Sequence, residues 1–454
     1  MNTQTTTLSK KALLERHGKS APAGRMFYSS LTDVRADQGL RPYLHVITRA
    51  WDALKLDGVL CVNGLPTLYL TIRRERISPT KGANLQCLFW NQGVATVLVV
   101  VDPETVRIYS GMAKPASPVT AFTREAALVE TLSRADYAIR VESLLSQLAT
   151  GRYYREHTTK FSSAQTVDAY LLNNLQVLRE KLVDSKSQLT VESAHTFLAR
   201  ILFVCYLTDR GIIDLGEYLG NPVYHGFSLG NLLEGLRTAV DKQRALHTLF
   251  SKLKDDFNGS MFEAATLTEC RQLSAAALQN LTDFLLGHEL GSGQHMLDFW
   301  AYDFRFISVE TISAIYEDFL KREDETEKRA AGAFYTPRFL AETVVDLALK
   351  DGDSIENKRF LDPSCGSGIF LVTLFNRLAA AWATRHPKFA NDYDRKAEAL
   401  KAILRDQICG IDKNITACQI TCFSLYLAFL DCFDPPGLKR YIRQSGKLPS
   451  LLKR

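Results

Sequence analysis

The chain has 454 residues, of which 46% are hydrophobic and 23% charged, with a formal net charge of +5. At roughly 150 residues per domain this length predicts about three domains, and the composition excludes wholesale disorder and fibrous repeats. The densest apolar run, residues 94–101, is of strand length, far short of the ~20 residues a membrane-spanning helix needs.

The polar N-terminus has no apolar core and does not read as a signal peptide. The nine scattered cysteines read as reduced thiols, so a cytoplasmic location is expected. Fifty-five basic against fifty acidic residues permit contact with a polyanion without demanding it. Residues 439–454 carry six basic residues, Lys439, Arg440, Arg443, Lys447, Lys453 and Arg454, and no acid. A solvated tail is the default reading there, a phosphate-binding patch the alternative.

In chain order, residues 1–40 read as a polar N-terminal extension. Residues 41–118 read as a small α/β domain. Strands are expected at 58–63, 67–73, 95–101 and 106–109, punctuated by Gly64-Leu65-Pro66 and Pro103, with helices at 41–56 and 81–90. Trp90 and Tyr109 sit in apolar surroundings and read as core. From 119 to 329 the period becomes helical, as in Leu171, Leu175, Leu178 and Leu182, or Phe197, Ile201, Val204 and Leu207. This is a helical connector, and its nine-residue tract 321–329, without an apolar side chain, reads as a solvated helix end or linker.

From 330 to 454 strands and helices alternate. The pattern predicts a helix at 339–350, a strand ending at Asp362, helices at 369–385 and 394–405, a strand at 407–411 and a helix at 415–430. Strand, glycine turn, helix, strand and acid is the start of a doubly wound parallel sheet.

The chemistry concentrates in this last region. Residues 360–371 read FLDPSCGSGIFL. Glycines at 366 and 368 let the backbone turn sharply and approach a ligand closely. The helix start favours an anionic group, and Asp362 at the strand end can accept from an ammonium or hydroxyl. Asp412 ends the next strand, where ribose hydroxyls would be held; capping the following helix is its other reading. Its distance of fifty residues from Asp362 exceeds the ~20 of a dinucleotide fold. The third element is Gly332 to Pro337, GAFYTP, with Thr336 as a helix cap and Pro337 at the first helical position. Cys418 and Cys422 have no CxxC or histidine partner, so core thiols are expected and no metal site.

Together these elements resemble the cofactor motifs of N6-adenine DNA methyltransferases. The likeness is to the large restriction-modification and phage-exclusion type, which includes type I modification subunits and fused type IIG enzymes. The resemblance implies that Tyr335 and Thr336 close over the methionine end of S-adenosyl-L-methionine. It implies that Asp362, Ser364, Cys365, Gly366 and Gly368 form the cofactor loop, and that Asp412 binds the ribose. Residues 300–320, 197–213 and 88–111 resemble upstream parts of the same enzymes. The implied fold is α/β: a degenerate nuclease-like domain, a helical connector, and the start of a class I (Rossmann-like) methyltransferase domain. Double-stranded DNA is the implied partner and no membrane is involved.

Two departures qualify the likeness. A nuclease of the PD-(D/E)xK kind needs clustered carboxylates to hold Mg²⁺. Asp57 could be the first acid, but Thr71-Ile72-Arg73 stands where acid-x-lysine is expected, so the domain is read as inactive. The second is the absence of Asn/Asp-Pro-Pro-aromatic, which in the family grips the adenine amino group and stacks on the flipped base. The only Pro-Pro pair, Pro435-Pro436, is followed by Gly437.

No catalytic residue is therefore assigned in this chain. It is read as the N-terminal part of such an enzyme, inactive alone and binding the cofactor weakly or not at all. A fragment of a longer or truncated gene is the first reading, and a split enzyme whose second polypeptide supplies the remaining sheet and the target-recognition part is the alternative. Helix 415–430 is expected to lack part of its packing surface. The alternatives are a non-catalytic DNA- or protein-binding subunit of a defence complex, and a protein or RNA methyltransferase.

Overall fold

The computed structural model describes residues 9–19, 24–115, 126–183, 189–257, 266–288, 290, 302–305, 336, 338–349, 355, 358–389, 392–433 and 449–452. The chain divides into two compact units. One is Met1–Leu171 with His295–Ile307, the other Leu172–Gln294 with Ser308–Arg454.

The first unit is built on a six-stranded sheet of β1 (Arg25–Tyr28), β2 (Gly58–Val62), β3 (Leu65–Ile72), β4 (Val97–Val101), β5 (Thr105–Ser110) and β6 (Leu128–Ser133), in that spatial order. Helices α1 (Lys10–Lys19), α2 (Leu31–Ala36), α3 (Leu44–Leu54), α4 (Pro79–Asn91) and α5 (Arg134–Ala149) accompany it. Asn63 (φ +50°) and Gly64 (φ +77°) make the tight turn between β2 and β3, the left-handed pair that matches strand twist in a two-residue hairpin. Only β3 and β4 run parallel, and that pairing needs a crossover, which α4 supplies.

The sheet is covered on both faces. Tyr69, Leu98, Val100, Ile47 and Phe89 pack on one side. Leu68, Leu70, Val97, Val99, Tyr137 and Leu145 pack on the other. An unbroken apolar β4, VLVVV, is what a strand buried on both faces requires.

Two strands lie where the sequence pattern showed none. β1 falls in the stretch read as a polar extension, and β6 in the stretch read as helical. Both are edge strands, short and only partly buried. An edge strand pairs on one side only and carries little apolar signal.

The second unit is helical around a small parallel sheet. Its longer helices are α6 (Val167–Val183), within which the division between units falls, α7 (Val191–Asp209), α8 (Ala239–Phe257), α9 (Ala275–Leu285), α10 (Arg338–Ala348), α11 (Ile369–Arg385), α12 (Tyr393–Ala402) and α13 (Ile415–Asp431). The sheet is β7 (Phe360–Asp362) beside β8 (Ile408–Gly410), parallel, with Asp362 opposite Gly410. α12 runs into a π-helical turn, Ile403–Gln407, that leads directly into β8.

α10 packs on α11 and α11 on α13, with Arg377 paired to Asp346 at 2.8 Å. α13 is better covered than its sequence led one to expect, being buried from Ile420 to Leu430. α7 supplies the cover. Phe203 meets Phe423 edge-on at 5.8 Å between ring centroids, and the Tyr206 hydroxyl donates to Asp431 at 2.6 Å. Arg210, itself buried, also pairs with Asp431. The sheet's own outer face is a different matter. Leu361 is 57% exposed and Ile411 54% exposed; Cys409, opposite Leu361 in register, is exposed as well. Parallel sheets are ordinarily covered on both faces. Among the described residues no helix is long and apolar enough to cross a membrane.

Candidate functional site

β7 ends at Asp362 and the chain turns through Pro363, Ser364 and Cys365 into Gly366, Ser367 and Gly368, where α11 begins. Gly366 (φ +53°) and Gly368 (φ +87°) hold left-handed backbone conformations that side-chain-bearing residues rarely adopt. The ladder between the strands continues past their ends. Ile411 N–H donates to the Asp362 carbonyl at 2.9 Å, and Cys365 N–H donates to the Ile411 carbonyl at 2.9 Å. The two strand-end acids are thereby held side by side at the carboxyl edge of the sheet, the side on which open α/β folds bind ligands.

Each acid has a defined local role. Asp362 Oδ1 accepts from Ser364 N–H at 3.1 Å. Its Oδ2 is buried and finds no hydrogen-bond partner among the described residues. Burial raises the Asp362 carboxyl above the ordinary carboxylate range, and the charge of Asp412 adds to the effect. Asp412 Oδ2 accepts from Gly366 N–H at 3.0 Å, and Oδ1 from Asn414 N–H at 2.8 Å. It does not cap α13. That position belongs to Asn414, whose Oδ1 accepts from Ala417 N–H at 3.4 Å. Asp412 is tied to the glycine loop instead.

The loop is more self-contained than a glycine turn aimed wholly at a ligand. N–H groups of Ser364, Cys365, Gly366 and Gly368 all donate within the site. The donors left to meet a ligand are those of the first helical turn at Ile369, Phe370 and Leu371, which helix geometry leaves without intrahelical acceptors. Cys365 is buried and its thiol is pushed up to about 12, which excludes a thiolate nucleophile near neutral pH. Thr421, on α13, donates its hydroxyl to the Gly366 carbonyl at 2.8 Å; the sequence reading passed over it, since one threonine in an apolar helix carries no signal. Gly410 lies so close to α11 that a Cβ there would fall 2.7 Å from Leu371 Cδ1.

The structure thus brings Asp362, Ser364, Cys365, Gly366, Gly368 and Asp412 into one site. Thr336 is half-buried shortly before α10, and Tyr335 and Pro337 lie outside the described residues. A separate cavity of about 440 Å³, lined in part by Arg359, Trp382, His386 and Asp406, opens at the far end of α11 from the loop.

In the first unit, Asp57 is engaged by its own neighbours. Its Oδ2 accepts from Ile72 N–H at 2.6 Å, and Lys10 forms an ion pair with it. Thr71 and Arg73 donate to the Lys55 and Leu54 carbonyls at 3.0 and 2.8 Å. Among the described residues no group of three or more histidines, cysteines or acids could hold a metal ion.

A strand, glycine turn, helix and second strand with an acid at each strand end is the local arrangement found at the carboxyl edge of open α/β sheets. Comparison with known proteins narrows this. Residues 308–428 match the family model described as N-6 DNA Methylase. Over 69 residues the chain is 41% identical to the type I restriction enzyme MjaIX methylase subunit of Methanocaldococcus jannaschii, a match covering 15% of this chain and 12% of that subunit. Among solved structures, the cryoEM structure of a DrdV–DNA complex matches over 82% of this chain and 32% of that one, at 14% identity and a TM-score of 0.29. That likeness is too slight to define a common fold. Residues 308–428 are therefore similar to N6-adenine DNA methylases, in line with the resemblance read from the motifs, and the chain spans a small part of the length of the relative it matches.

Proposed function

We propose that the chain carries the S-adenosyl-L-methionine site of a DNA adenine-N6 methyltransferase of a restriction-modification or phage-defence system. The carrying observation is the buried, unpartnered Oδ2 of Asp362 beside the glycine loop. A carboxylate oxygen withdrawn from water without a donor is costly, and a ligand ammonium would supply the missing partner. The donor set fits the cofactor in its other parts. Asp412, held by Gly366 and Asn414, offers its outer lone pairs to ribose hydroxyls. The first turn of α11 suits the methionine carboxylate, and Thr336 with Tyr335 would lie over that end.

The bound cofactor supplies an electrophilic methyl group on a sulfonium. The residues of this chain bind and orient it, and shield it from water; positioning of that kind accounts for a large part of the rate in such transfers. Recognition of the adenine amino group falls to Asn-Pro-Pro-aromatic, which does not occur in these 454 residues. The active unit therefore includes another polypeptide or segment that supplies it, together with the parts that read double-stranded DNA. The uncovered face at Leu361, Cys409 and Ile411 supports that reading. The nuclease-like domain acts as a structural or DNA-contacting part without metal chemistry.

The test is methyl transfer from labelled adenosylmethionine to duplex DNA, read as N6-methyladenine in the digested product. The chain alone should give none. With a polypeptide carrying Asn-Pro-Pro-aromatic it should give N6-methyladenine, and Asp412→Ala should lower the yield at least ten-fold. Label found only in protein or RNA would overturn the assignment.

A further inference from the structure

We infer that Thr421 is a positioning residue for the cofactor loop, setting the Gly366 peptide through its hydroxyl; this rests on the cofactor reading of that loop. Thr421 lies 53 positions beyond Gly368, on a helix that the glycine motif does not include, and is 5% exposed. A buried serine or threonine in a helix commonly returns its hydroxyl to the carbonyl four residues back. Thr373 does so to Ile369 at 2.8 Å, and Ser424 to Ile420 at 2.9 Å. The Thr421 hydroxyl donates across to the Gly366 carbonyl at 2.8 Å, and its Oγ1 lies 3.7 Å from Cys365 Sγ.

The consequence is that Gly366 is held at both ends. Its N–H is fixed on Asp412 at 3.0 Å and its carbonyl on Thr421. With φ at +53° and no side chain, this residue has more backbone freedom than any neighbour, so two opposed hydrogen bonds are what give it one orientation. The methyl of Thr421 performs a second task. A Cβ on Gly368 would fall 2.8 Å from Thr421 Cγ2, so the threonine also packs against the residue at which α11 begins. One side chain therefore sets the peptide that anchors Asp412 and backs the helix start that would face the methionine carboxylate.

Four variants of the full chain test this: Thr421→Val, which keeps the shape and removes the hydroxyl, Thr421→Ser, which keeps the hydroxyl, Thr421→Ala and Gly366→Ala. The first readout is amide hydrogen exchange without cofactor, comparing residues 364–368 with the buried turn 425–430 of α13. Thr421→Val is expected to speed exchange in the loop at least ten-fold while leaving α13 unchanged, and Thr421→Ser to stay within two-fold of wild type. Gly366→Ala should mimic the loop phenotype. The second readout is ultraviolet crosslinking of labelled adenosylmethionine, which should fall about ten-fold in Thr421→Val and recover in Thr421→Ser.

Wild-type exchange in Thr421→Val, or equal loss in Thr421→Ser and Thr421→Val, would overturn the role of the hydroxyl. Should Thr421→Val loosen α13 as well, Thr421→Ser against Thr421→Ala decides, because those two differ by the hydroxyl alone; equal loop exchange in that pair would also overturn it. If wild type takes no label under any condition, the cofactor reading falls, while the exchange comparison still decides whether Thr421 sets the loop.

Discussion

Asp362 illustrates how a residue proposed to bind a ligand opposes the stability of its own fold. Its carboxyl is lifted above the ordinary range chiefly by burial, with Asp412 adding like charge. A folded-state value above the unfolded one means that the folded chain keeps this proton to higher pH than the unfolded chain does. The contribution to stability is therefore fully present below the unfolded value and is lost as pH rises through the folded one. Asp362→Asn is expected to raise the urea midpoint at neutral pH, with the gain shrinking as pH falls into the carboxylate range, and to abolish cofactor labelling. A gain of equal size at every pH would show that charge burial is not its source.

Glycine 368 makes the opposite case, since no other residue fits its φ of +87° and the Thr421 methyl. Gly368→Ala should cost about 2–3 kcal/mol in denaturant unfolding, from backbone strain and crowding together. Both glycines and both acids were legible in the sequence, because FLDPSCGSG and GID mark strand ends by residue type. Thr421 and Asn414 were not, since their roles depend on which loop a distant helix comes to rest against.

At the level of elements, legibility follows burial. β4 and β5 were readable because both faces of the sheet are covered, and α11 was readable to its boundaries from its apolar run. Edge strands β1 and β6 were not, for the lack of that cover. The packing of α13 could not be read either, because α7 lies more than two hundred residues earlier in the chain. Their junction should carry real stability. Asp431 meets Tyr206 at 2.6 Å and the buried Arg210, and Arg210 also stacks over the Tyr206 ring at 3.7 Å. Asp431→Ala leaves a buried guanidinium without this carboxylate, a change that costs about 3 kcal/mol or more. Urea unfolding of that variant checks it; a loss below about 1 kcal/mol would mean that the pair behaves as a surface ion pair.

On the scale of the whole molecule, the described residues present a glycine loop on a two-stranded parallel sheet with Leu361 and Ile411 exposed. The match to the M. jannaschii methylase subunit spans 12% of that protein, so the complete activity is a property proposed for an assembly. The account rests most directly on one measurement: ultraviolet crosslinking of methyl-labelled adenosylmethionine to the full chain, with and without a polypeptide supplying Asn-Pro-Pro-aromatic. It predicts faint labelling of the chain alone, at least a ten-fold rise with the added polypeptide, and loss of label in Asp362→Ala. Labelling that ignores Asp362, or none with either preparation, would contradict it.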